Sequence, residues 1–164
     1  MKFLLYQRLP LFLAAFWWAS LGAVGFLVVP LLFVHLATPA LAGTMAAKLF
    51  TAQTWVGVVC ATCLLLISRS DKAPVPTRLV GSALIFLVLG LLLALLGEFA
   101  IAPRIVSARA LAGATSTDLK LWHSLGSAVY LVQWICAGVT LWRLSAPVVS
   151  EAGDTAAVKG DDPD

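Results

Sequence analysis

From Leu9 to Leu36 the chain runs almost without a polar residue. About 20 apolar residues suffice to carry a helix across the hydrocarbon core of a bilayer, and this run is longer. Two further runs, Leu79–Ala102 and Leu121–Trp142, have the same character. A chain built this way has lipid as its solvent, and most of its residues serve that solvent.

Composition agrees. Apolar residues make up 61 %, charged residues only 12 %, and mean hydropathy is +0.98, whereas a soluble domain carries about 25 % charge. At 164 residues there is room for about four spans with short loops and none for a separate soluble domain. The net charge of +3 is unevenly spread, with Glu151, Asp154, Asp161, Asp162 and Asp164 set against Lys159 in the C-terminal tail. The body is therefore basic, which near a membrane reads as a topology signal and headgroup contact. A nucleic-acid partner would need a solvated basic face with groove-reading or stacking elements, and none is visible. Cys60, Cys63 and Cys136 all sit inside apolar stretches, against an extracellular disulfide framework. Ala40-Leu41-Ala42 looks like a signal-peptidase site, but the apolar run before it is about twice the usual length, so it is read as a span.

The fold class expected is an all-α, integral-membrane four-helix bundle. Residues 1–8 form a cytoplasmic N-terminus, the spans cover about 9–36, 45–68, 79–102 and 119–142, and 144–164 form a disordered acidic tail. Pro30 should kink the first span. The second is the least obvious: Trp55–Ile67 alone is too short. Thr38-Pro39 is a good helix start, with Thr as N-cap and Pro in the first helical position. One long helix from Pro39 to about Ser68 follows, its first turns at the interface, where Lys48 can snorkel and Gln53 is tolerated. Arg69–Arg78 reads as a polar, proline-broken loop. The third span should stop at Pro103, with Arg104–Ala112 a short surface helix. Trp122 and Trp142 bracket the fourth, about 30 Å apart along a helix.

Basic residues decide orientation. Lys2, Arg8, Arg69, Lys72, Arg78, Arg143 and Lys159 fall on one side, and Lys48, Arg104, Arg109 and Lys120 on the other. Seven against four places both termini in the cytoplasm of a multi-pass inner-membrane protein.

Few residues could carry chemistry. Glu98, near the end of the third span, is the most expensive, since an acid costs up to about 2.5–3.5 kcal/mol at mid-span and less towards the edge. It follows Gly90 and Ala94 on one helical face, so it should point into the bundle. Arg104, Arg109, Lys48, His123 and His35 lie towards the same end, and Glu98, Arg104 and His123 are expected to form one polar cluster. From His123 a stripe of Gly126, Ser127, Tyr130 and Trp134 runs along the fourth span, either a packing face or a cofactor wall. His35 and His123 could in principle ligate a haem or metal. Cys60-Ala-Thr-Cys63 has redox spacing but lies in a helix of Val, Thr and Leu without electropositive neighbours, and is read as structural. Hydrolase, kinase, nucleotide-loop and zincin motifs are absent, so no catalytic residue is assigned.

Trp17-Trp18-Ala-Ser-Leu-Gly22 leading to Pro30-Leu-Leu-Phe33, then Ala42–Phe50, Glu98–Ile105 and Leu121–Ser124, together resemble the TMEM-type four-span family, a bacterial domain of unknown function (4149) with eukaryotic relatives. The resemblance covers nearly all of residues 9–143 and implies a four-helix membrane bundle with no established activity. Tyr130 stands where the family pattern carries an asparagine. A looser likeness, through the first-span Trp-small-Gly and Pro-x-x-Phe pattern, is to four-span copper-resistance proteins and haem-containing protoporphyrinogen oxidases. Two functions follow as expectations. One is a non-enzymatic bundle that binds or passes a small solute or ion, or acts as a scaffold, without a cofactor. Its partners would be the lipid bilayer and a membrane protein or a second copy. The other is a redox protein holding haem b or a metal through His35 and His123.

The topology is directly testable. Reporter fusions at Ala73 and Ala114 should report the cytoplasm and the opposite side respectively, and the reverse pattern would invert the assignment.

Overall fold

The computed structural model describes residues 2–69, 81–112 and 117–145, and every element among them is helical. The first long helix comprises α1 (Lys2–Gly22), a π turn (Ala23–Val28) and α2 (Val29–His35). It is followed by α3 (Pro39–Arg69). The third is α4 (Gly81–Leu96), a second π turn (Gly97–Ile101) and α5 (Ala102–Ala112). The last is α6 (Thr117–Ser145). Four stretches are long and apolar enough to cross a membrane: Arg8–His35, Pro39–Ser68, Ala83–Arg109 and Thr117–Ser145. The molecule is an all-α, multi-pass membrane bundle. Most of the expected loop after Arg69, the turn at 113–116 and the tail from 146 onward lie outside the described residues.

The start of α3 follows its sequence signal. The Leu41 amide donates to Thr38 Oγ1 at 3.2 Å, and Pro39 occupies the first helical position, where a missing N–H removes nothing. The prolines at 30 and 103 both lie within continuous helices, as expected at 30 but not at 103. A proline inside a helix removes one hydrogen bond and its ring clashes with the carbonyl four residues back. Here each is preceded by a π turn that ends two residues earlier. In these turns the Val29 amide donates to Val24 O, and the Ala102 amide to Gly97 O. The wider i→i−5 turn moves the clashing carbonyl aside. The first span therefore continues to His35. The third does not end before Pro103 but runs through it to Ala112.

The helices pack in the ring order α1–α3–α4–α6, each antiparallel to its neighbours. Arg8, Arg69 and Arg143 mark one end of the bundle; His35 and Arg109 mark the other. At the centre sits Trp17, fully buried, within a cluster that includes Ala14, Leu21, Cys60, Ala61, Leu64, Leu87 and Ala137. Its indole lies between two glycines on different helices. A Cβ on Gly57 would come 2.9 Å from Trp17 Nε1, and one on Gly90 would come 2.8 Å from Cη2. Lipid offers no hydrophobic force to press helices together, so close packing of this kind carries their association. The α1–α6 seam adds an aromatic ladder: Trp18 stacks on Trp134 at 5.4 Å, and Phe26 meets Trp134 edge-on at 5.2 Å.

Gly57→Ala and Gly90→Ala should each destabilise the bundle by about 1–3 kcal/mol, the usual effect of overpacking, read as a lower unfolding midpoint in detergent. Trp17→Phe should offset part of that loss. Gly81→Ala, where a Cβ meets nothing within 4 Å, serves as the neutral control. An unchanged midpoint for both slot variants would show that the indole is not held this way.

Candidate functional site

Glu98 lies in the second π turn, four residues beyond buried Ala94 and half-buried itself. Its carboxylate meets α3. There the hydroxyl of Thr51 donates to both carboxylate oxygens, at 2.9 Å to Oε1 and 3.1 Å to Oε2. Thr51 escaped the sequence reading because a threonine in an apolar helix bonds back to its own turn as often as across to another. Eleven residues separate Glu98 from Arg109 at the end of the third span, which is about 16 Å of helix, so the carboxyl lies about three turns in from that end.

The basic residues expected around Glu98 are placed elsewhere. Arg104 is exposed and its guanidinium stands 5.0 Å over the ring of Trp122. Arg109 is half-buried against Gly43 of α3, where a Cβ would lie 2.9 Å from Nη2. His123 is exposed, with Arg109 as its charged neighbour. Lys48 is exposed on α3. Among the described residues, Glu98 makes no ion pair with any of these. His35, at the end of α2, is also exposed, and its ring Nδ1 lies 3.0 Å from the Leu31 carbonyl. It borders an apolar groove formed by Leu27, Val28, Leu31, Leu32 and Leu36. No hydrogen bond or ring contact joins it to His123 among the described residues, nor do three or more His, Cys, Asp or Glu side chains gather there into a metal cage.

Residues 12–114 match the family described as Domain of unknown function (DUF4149). The chain belongs to the DUF4149 family. No curated protein and no solved structure matches it. The matched stretch contains Trp17, Gly43, Thr51, Glu98, Arg104 and Arg109. His123, Tyr130 and Gln133 of the fourth span lie beyond it.

A second polar centre in this DUF4149 protein lies beside Trp17. Gln53, 5 % exposed, donates from Nε2 to Ser20 Oγ at 2.9 Å, and Ser20 in turn donates to the Trp17 carbonyl. Gln53 is thus inside the bundle rather than at the interface. Gln133 is 4 % exposed, and its Nε2 and the Trp17 Nε1 both border the Gly57 notch. The Trp17 indole N–H is buried with no hydrogen-bond partner among the described residues. The signal in the sequence was a glutamine at 53 and another at 133, the one glutamine in each of two apolar spans. Gln53 falls on the helical face of Gly57, Cys60 and Leu64, which marks it as inward. The three cysteines are free, with Cys60 and Cys136 buried and Cys63 half-buried.

The stripe on the fourth span packs against other helices. Gly126 faces Ile101 and Ile105, and Trp134 faces the first span. Tyr130 Oη donates to the Leu21 carbonyl at 2.9 Å, just before the first π turn, where the change of helical register alters the backbone pairing. Its ring occupies the place a Cβ on Gly25 would take, 2.5 Å from Cε1, and meets Phe50 edge-on at 5.0 Å. Tyr130→Phe should lower stability by about 1 kcal/mol, the scale of an interhelical hydrogen bond in lipid. Gly25→Ala should do more by displacing the ring. Unfolding midpoints in detergent decide both, and equal midpoints for wild type and Tyr130→Phe would remove the hydroxyl from the account.

Proposed function

We propose that this DUF4149 protein is a non-enzymatic inner-membrane bundle, both termini in the cytoplasm, that takes up a single positive charge at Glu98, the proton first among the choices. One observation supports the reading. A carboxyl group within the third span is met by a neutral hydroxyl, Thr51, and by no ion-pairing base among the described residues. A buried charge in lipid calls for a compensating partner. Lys48 on α3, Arg104 and Arg109 on α5, and Asp118, Lys120, His123 and Tyr130 on α6 are the charged and titratable groups of the packed elements nearest this end. None of them hydrogen-bonds or ion-pairs with Glu98 among the described residues. A proton or small cation arriving from outside completes the neutralisation, while Thr51 orients the carboxyl. The basic-residue count supports the orientation, and the four apolar helices make the bilayer the immediate partner.

The unfolding midpoint of the full chain in detergent tests the site. Glu98→Gln, a neutral mimic, should have a raised midpoint, because it removes a carboxylate that no base pairs among the described residues. Thr51→Val, which takes away the hydroxyl, should lower it. Sodium and potassium, compared with choline at equal ionic strength, test the cation form through the same midpoint. If wild type and Glu98→Gln have the same midpoint and respond identically to every cation, Glu98 is not the site.

A further inference from the structure

We propose that the end of the bundle carrying Arg109 binds one anionic phosphate group, the chemistry shared by an acidic lipid headgroup and free inorganic phosphate. Arg109 holds the group from the Gly43 notch, and Arg104, over Trp122, adds to the positive field of that end. The site is distinct from Glu98: Gly43 and Thr51 lie eight residues apart on α3, about 12 Å along the helix.

Two arrangements hold arginines at that end. The Arg109 guanidinium lies against the bare backbone of buried Gly43, with notional Cβ distances of 2.9 Å to Nη2 and 3.4 Å to both Cζ and Nη1. These distances put the whole guanidinium, rather than one nitrogen, in the glycine notch. Arg104 is held over the Trp122 ring, a cation–π contact that fixes its plane.

The cluster has cations and no acid to neutralise them. Among the described residues neither arginine makes an ion pair. Glu98 is engaged by Thr51, and Asp118, exposed at the start of α6, pairs with neither. Lys48 and Lys120 are exposed towards the same end and add to the positive field. Guanidinium groups present paired N–H donors whose spacing fits two oxygens of a phosphate. One that is already seated in the Gly43 notch loses little further freedom on binding. Their position, at the end of the third span and the first turns of the fourth, is where phosphates of a bilayer lie.

The test uses the full chain purified in detergent, with native mass spectrometry in the presence of phosphatidylglycerol or phosphatidylcholine of equal chain length. A parallel arm measures the unfolding midpoint in inorganic phosphate against chloride at equal ionic strength. Retention of phosphatidylglycerol about 10-fold over phosphatidylcholine is expected, the scale of one charge-assisted hydrogen bond. Arg109→Gln should lose that preference. Gly43→Ala should reduce it with no change of charge, because the new Cβ displaces the guanidinium. Arg109→Lys, which keeps the charge and loses the fork, serves if Arg109→Gln fails to fold. Arg69→Gln, at the opposite end, should retain it. A midpoint raised by inorganic phosphate in wild type but not in Arg109→Gln, without lipid preference, assigns a soluble phosphate instead. If both arms are the same for wild type, Arg109→Gln and Gly43→Ala, the proposal is overturned.

Discussion

Everything in this bundle is arranged around one indole. Trp17 meets α3 at Gly57 and α4 at Gly90, and the Cβ of Cys136 from α6 would stand 3.4 Å from a Cβ at Gly90. In water a large buried side chain would be favoured by the solvent it displaces. In lipid that term is nearly absent, and what remains is fit. Two glycines on separate helices open the space for a tryptophan on a third. The polar groups of the same layer, Gln53, Ser20 and Gln133, are enclosed with it because lipid would leave them unpaired. The centre thus joins close packing to polarity, and the four spans acquire their rotational settings from it.

Charge is sorted by depth around this centre. The single acid of the spans' interior is placed within the membrane and given a hydroxyl. The arginines nearest to it in sequence stay at the bundle end, against a glycine notch and an aromatic face. Bringing Arg104 or Arg109 to Glu98 would have required a guanidinium to leave the headgroup region and enter hydrocarbon. Separation leaves an acid open to neutralisation from outside and a basic rim suited to an anion. These are two consequences of one physical preference.

Much of the architecture was legible in the residues. Three apolar runs and the Thr38-Pro39 start define four helices, and the Gly90–Ala94–Glu98 spacing turns the acid inward. The rest was not legible, for reasons that can be named. Pro103 reads as a stop because proline breaks an α-helix, yet a π turn lets the chain pass. The added residue also resets the rotational phase, so the partner of Glu98 could not be chosen by helical spacing from either side. Gln53 was assigned to the interface by its distance along the chain, whereas its face, shared with Gly57 and Leu64, is what determines burial. Arg104 and His123 are neighbours of Glu98 by chain, but a carboxyl is met by whatever the adjacent helix presents, and here that is Thr51.

The two π turns carry a last implication. Phe26 and Phe99 each stand four residues before a proline, and Gly25 and Glu98 each stand five before it. The helices that bear them, the first and third, run parallel at opposite corners of the ring. At the position five before each proline the helix meets a neighbour: Gly25 receives the ring of Tyr130 from α6, and Glu98 receives the hydroxyl of Thr51 from α3. One joint is filled by an aromatic ring and closed. The other retains a carboxyl group and a hydroxyl.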